Sequence, residues 1–399
     1  MRIWLWSWMV FSWACGGLME PAVAADAVGQ PAGEASTLDC RGHSWECPAL
    51  VIRGESIQES LFRGLADPSV REDPVSGRLW MAYSWPNVTS LGTTAVQLRL
   101  ARSDDQGETW THDSILFSNP LIRNPVTGRM NYVSNEVIDL WPATSHIWYS
   151  VRLVYLIEPG RSIYAQNSSW HFRVSRALSP RDIPDAAEAR LGFGNTDDRY
   201  GVDVSLPALS PELEGCALFN EPSIITTGGA VYLAAQCLWS SNGVLQPQSD
   251  FYALFTTWAE GPPATWQWRY VGKLAGPAEA RELENHEKWV QLNLSKGPDG
   301  TFRAVLTPAD FDASLQMDVH HGCRVLELIS LDPPVWRRDP ANGQLVTLTT
   351  ITSSDNPYPG PAACAYDPAS STGVLMTRRP SMGRPAGWAW MIYRTGLRP

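Results

Sequence analysis

Ala66-Asp67-Pro68-Ser69-Val70, a turn at Asp73-Pro74-Val75-Ser76-Gly77, and then Leu79-Trp80-Met81-Ala82-Tyr83 form the clearest copy of a unit that recurs along this 399-residue chain. Short apolar and aromatic runs divided by Pro and Gly read as two antiparallel strands and their turn. Val96-Gln97-Leu98-Arg99-Leu100-Ala101 and residues 110–117 add two more strands, so the unit is a four-stranded antiparallel meander. Further copies begin at Glu136, Glu221, Glu287 and about residue 362, at spacings of 69, 85, 66 and about 75 residues. Regular spacing of strand groups signals radial repetition. Sheets that must cover both faces do so by packing around an axis, which leaves only short edges. The expected fold is therefore all-β, a five-bladed β-propeller with four-stranded antiparallel blades. A six-bladed count is the alternative, because residues 177–218 have room for further strands. The fifth copy lacks an outer strand, which residues 49–53 are expected to supply. Residues 182–190 and 278–285 are the two helix candidates.

Hydrophobic residues make up 44% of the chain and charged residues 18%, which excludes a disordered class and supplies a core. The net charge of −10, without a basic cluster, argues against nucleic acid or an anionic membrane surface as partner. Nineteen tryptophans fit repeated sheet modules or a carbohydrate-stacking surface. Arg2, an apolar run from residue 3 to about 19, and Ala22-Val23-Ala24 have the pattern of a cleaved export signal. The expected organisation is a signal peptide at 1–24, a leader at 25–48 and one propeller domain at 49–399, with no transmembrane segment in the mature chain and a secreted or periplasmic location. Cleavage removes Cys15 and leaves six cysteines for an oxidising compartment. Cys40 with Cys47 closes a local loop and Cys216 with Cys237 brackets a strand pair, so Cys323 pairs with Cys364. Zinc is disfavoured, since no C-x-x-C occurs.

In this register Asp67, Glu136, Glu221 and Glu287 begin successive inner strands and converge near one mouth of the channel. Like charges there cannot all ionise cheaply, so a proton is held on one unless a cation intervenes. Glycosidic bond cleavage uses that arrangement, with one carboxylic acid protonating the leaving oxygen and a carboxylate activating water or attacking carbon. Glu221 is the expected acid, Asp67 the base or nucleophile, and Glu136 the tuning group. Glu287, His320, His321 and Trp85 are expected at the substrate; Trp141 and Trp239 are further stacking candidates. The histidines, preceded by Asp318, could also act as ligands or proton carriers. No cofactor is expected, although hard carboxylates leave room for calcium.

Ser103-Asp104-Asp105-Gln106-Gly107-Glu108-Thr109-Trp110 matches the Asp-box of bacterial neuraminidase (BNR) repeats, so the chain resembles the sialidase-like β-propellers. That resemblance implies a structural turn, with Arg63 gripping a substrate carboxylate and Tyr358 as nucleophile activated by Glu221. Ala235-Gln236-Cys237 stands where the family carries a second arginine, and no acid follows Tyr83. Of the later arginines, Arg324, Arg378 and Arg379, none can be assigned to the grip. Asp67, Glu136 and Glu221 also resemble the base, modulating carboxylate and acid of five-bladed arabinanase-like glycosidases. The expected function is a secreted sialidase-like glycoside hydrolase acting on an extracellular glycan, not on sialic acid itself. The alternative is a non-catalytic glycan- or protein-binding propeller; a lyase using Tyr358 with His320 or His321 is a third class.

Overall fold

Strands of this chain alternate their side chains between two neighbouring sheets, and that alternation builds the whole molecule. In Leu79–Val88, Leu79, Met81 and Tyr83 pack toward one neighbour while Trp80 and Ala82 pack toward the other, as the two-residue period of a strand requires. The computed structural model describes residues 35–40, 47–55, 64–123, 128–157, 159, 171–192, 202–314, 317–354, 360–378 and 390–399. The signal and most of the leader fall outside them, as do Arg63, Tyr358 and Arg379.

Five separate sheets are present among the described residues, with seven, six, five, five and three strands. The uniform four-stranded expectation is thus replaced by sheets of unequal width. In chain order their first long strands are Ala66–Glu72, Met130–Pro142, Cys216–Thr227, Lys288–Lys296 and Ala362–Ala365, called inner strands below. Each inner strand touches the next, and the last touches the first. Five buried apolar clusters fill the spaces between successive sheets, including one between the fifth and the first. This is a β-propeller arrangement. Between Trp148 and Trp268 lies the cluster richest in aromatics, which accounts for part of the tryptophan excess.

The three disulfides pair as expected, Cys40–Cys47, Cys216–Cys237 and Cys323–Cys364, and the last ties the fourth sheet to the fifth inner strand. The expectation for residues 49–53 holds in part. Leu50 N–H donates to Ile392 O at 2.8 Å beside the fifth sheet, whereas Ile52–Arg53 joins the outer edge of the first sheet in parallel with Trp110 and Thr111. Part of the expected leader belongs to the propeller, because Ser36–Asp39 lies parallel to Thr347–Thr352 on the fourth sheet. Pro277–Glu284 is an α-helix, while the other helix candidate yields only a 3₁₀ turn, Pro180–Asp185, before the strand Ala189–Gly192. Pro184 removes a donor there and stops an α-helix from forming. No helix among the described residues is long and apolar enough to cross a membrane.

The Ser103-to-Trp110 turn has the local physics its sequence promised. Asp105 Oδ1 accepts from Ser103 Oγ and from Thr109 N, both at 2.8 Å, and Trp110 is buried with its indole N–H on Gly107 O at 3.1 Å. Hydrogen bonds from Thr109 hold the exposed Asp105 carboxyl down to about 2. Gly107 is at φ 91°, and a Cβ there would meet Thr372 at 2.2 Å.

Candidate active site at the propeller axis

Each inner strand carries the same irregularity, and these irregularities define the site. Asp67, Val137, Glu221, Gln291 and Ala363 all take left-handed backbone, with φ between 46° and 54°. Pairing registers shift at each of them. On the first, third, fourth and fifth strands two residues oppose one on the partner, which is a β-bulge. Pro68 and Pro222 occupy the unpaired place, where a missing N–H costs no ladder bond. Non-glycine residues in this region are uncommon, and a β-branched Val137 is an outlier of the kind that clusters at functional sites.

All five left-handed positions line one small cavity of about 30 Å³ at the axis, with room for ordered water. Asp67 and Glu221 are half-buried at its wall, on inner strands one and three. The true register is therefore Asp67, Val137, Glu221, Gln291 and Ala363. Glu136 lies one residue early, opposite Arg152, and does not line the cavity. Glu287 lies four residues early; it is exposed, and its carboxylate accepts from Phe311 N at 2.9 Å. The structure brings two of the four expected acids together and separates the other two.

Glu221 is fixed from both sides. Its Oε2 accepts from Tyr252 Oη at 3.1 Å and from the backbone N–H of Gln291 in the next bulge. Gln291 repeats this pattern one sheet on, accepting from Ala363 N through Oε1. Burial and the Glu221 charge push the Tyr252 phenol well above its usual range, so it stays a donor.

Two residues further along each strand is a second layer that the sequence reading missed. Asp139, 3% exposed, accepts from Ser69 Oγ and Ser223 Oγ at 2.6 Å each, from Ile224 N at 2.9 Å and from Asn293 Nδ2 at 3.1 Å. Arg71 Nη2 pairs with it at 3.1 Å, and the rest of that guanidinium reaches Leu140 O, Leu294 O and Tyr366 O. Position-equivalent Ser69, Asp139, Ser223 and Asn293 were visible as small polar residues, but no search for acids at strand starts would select them.

Beside Glu221 a larger cleft of about 280 Å³ opens toward sheets three and four. Lys288 lies buried in its wall with Nζ 3.0 Å from both Asp250 Oδ2 and Asp318 Oδ1. Burial raises the Asp250 carboxyl to about 6 against the pull of that ammonium, while the two acids raise Lys288. Gln236, His320 and Phe311 share the wall with Asn220 and the apolar Leu238, Leu245, Pro247 and Val290, so Gln236 faces the cleft where a sialidase-like grip would need an arginine. Arg324 is buried and held by Glu284, and Arg378 is buried over the Tyr393 ring at 4.3 Å. Trp85 is 7% exposed with Arg99 3.4 Å above its ring, so its face is covered by a protein cation. His321 lies outside the cleft wall, against Asp310 and His286.

No family model matches the sequence, and a search of curated proteins finds no match. Solved structures do resemble it. Zg3597, a family 117 glycoside hydrolase of the marine bacterium Zobellia galactanivorans, aligns with TM-score 0.49 and 12% identity over 87% of this chain and 88% of its own. A family 43 endo-arabinanase from Bacillus licheniformis aligns with TM-score 0.45 and 12% identity over 84% and 93%, and the Bacillus subtilis arabinanase Arb43A with TM-score 0.43 and 14% identity over 85% and 95%.

Proposed function

We propose that this chain is a secreted or periplasmic glycoside hydrolase on a five-bladed propeller, holding an extracellular glycan in the cleft beside Glu221 and cleaving it with carboxylates at the mouth of the axial cavity. One observation carries the reading: Asp67 and Glu221 hold the same bulge position on inner strands one and three and share one cavity wall. Two carboxyl groups at one enclosed centre can divide the work of bond cleavage. Glu221 protonates the leaving oxygen, and Asp67 attacks the anomeric carbon or activates water. The tuning role expected of Glu136 passes to Asp139, whose charge lies one layer beneath.

The cycle of inner strands and the five inter-sheet clusters support the five-blade count. Three disulfides fit an oxidising compartment. The cleft offers carboxylates, two amides, a histidine, one aromatic face and four aliphatic side chains beside a lysine paired with two acids, a lining suited to the hydroxyls and apolar faces of a neutral glycan rather than an anionic sugar. The sialidase-like part of the resemblance rests on the Ser103-to-Trp110 turn alone.

Glu221→Gln tests the proposal with little risk to the fold, because Gln291 already performs the same backbone-accepting task with an amide. Turnover on neutral oligosaccharides should fall by about 10²- to 10⁴-fold with glycan binding retained. Wild-type protein that binds a glycan but turns over no member of a panel of arabino-, galacto- and fructo-oligosaccharides would instead make it a binding propeller.

A further inference from the structure

Away from the axis, the fourth sheet gathers a second cluster of ligating groups. His286 follows the helix Pro277–Glu284, Asp310 ends the strand Phe302–Asp312, and His321 follows the short strand Met317–His320. Pairing of Lys288 with Ala309 and of Ala309 with His320 draws the three segments to one end of the sheet. Asp310 Oδ2 then lies 3.0 Å from His286 Nδ1 and 2.9 Å from His321 Nε2, and one ligand atom from each residue falls within 4.8 Å of the others.

We propose that His286 Nδ1, Asp310 Oδ2 and His321 Nε2 form a binding site for a divalent transition ion of the zinc type, with its remaining coordination positions left to water. The supporting groups are those a metal site needs. Glu284 Oε2 stands 3.6 Å from His286 Nε2, so the ring is turned with its other nitrogen toward Asp310. A carboxylate behind a ligating histidine fixes both its tautomer and its orientation. Arg324 anchors Glu284 in turn, and Glu287 N–H donates to Asp310 Oδ1 at 2.9 Å, which leaves Oδ2 for the ion. The imidazoles stack with centroids 4.1 Å apart, which holds both rings against the same carboxylate. Two nitrogens and one oxygen suit zinc or its neighbours, whereas calcium takes six to eight oxygens. Side-chain exposures of 15%, 39% and 34% leave an entry path from solvent. The site is independent of the hydrolytic proposal.

The test is titration of chelator-stripped, full-length protein with Zn²⁺ by calorimetry and with Co²⁺ by visible absorption. One equivalent per chain should bind, and Co²⁺ should give the ligand-field bands of a nitrogen- and oxygen-bound ion of low coordination number. His321→Ala and Asp310→Asn should each weaken binding at least tenfold, on the order of a lost ligand. Glu284→Gln removes no ligand, keeps an acceptor for Arg324, and should weaken binding by about 10- to 100-fold. Circular dichroism checks that each variant is folded. Absence of saturable binding overturns the assignment. So does binding that survives His321→Ala and Glu284→Gln but is lost in Asp67→Asn, which would put the ion at the axis.

Discussion

Two layers of side chains, two residues apart on the same five inner strands, have opposite characters. The belt of Ser69, Asp139, Ser223 and Asn293 is buried, and its one acid is neutralised by Arg71 and hydrogen-bonded by groups from three inner strands. The layer above, with Asp67 and Glu221, is half-buried around a cavity beside an open cleft. A charge saturated by protein donors holds strands together. Asp139 borders the same cavity, but Glu221 borders the open cleft as well, and that difference in access separates scaffold from site better than acidity alone.

The contrast is broken most forcefully at the belt. Asp139→Ala strands a buried guanidinium, and the unfolding free energy should fall by about 3–5 kcal/mol in urea denaturation. Glu221→Gln in the upper layer should change it by no more than about 0.5 kcal/mol while turnover collapses; equal destabilisation by both would erase the distinction. Asp250 lies between the extremes, buried yet sharing one ammonium with Asp318. Its folded pKa of about 6 exceeds the ordinary 3.8, so the stability linked to its proton is complete at low pH and is lost as pH rises through 6. The stability of the wild type relative to Asp250→Asn should decline between about pH 4 and 6, by on the order of 3 kcal/mol, and level off above; a flat difference would show a carboxylate fully compensated by Lys288. Smallest of all, Glu287→Gln should leave both turnover and stability within about 0.5 kcal/mol of wild type, as befits an exposed side chain.

The sequence made the sheets and cysteine pairs legible because strand periodicity and cysteine parity are local arithmetic. Asp67-Pro68-Ser69 and Glu221-Pro222-Ser223 share an acid–proline–serine pattern, which is why those two acids were found in true register. Val137-Ile138-Asp139 and Gln291-Leu292-Asn293 occupy the same bulge with different chemistry. Aligning on acids slid the second and fourth strands to Glu136 and Glu287. What repeats is a backbone conformation, and conformation leaves a weaker trace than residue type. His321 was legible as a possible ligand, but its partners His286 and Asp310 were not, because the three meet only through pairings between separate strands.

Residues 36–39, 49–50 and 52–53 lie in turn along the fourth sheet, beside the fifth, and at the edge of the first, with Met391–Arg394 completing the fifth. Ala49 and Leu50 must therefore wait for the latest-synthesised strand before their pairings exist. Loop-closure entropy of that span has to be met before the circle rewards it, which places the slow step of folding at the seam. Once shut, the same seam sets Leu38 and Leu397 against one apolar cluster, so fraying at one end has to disturb the other.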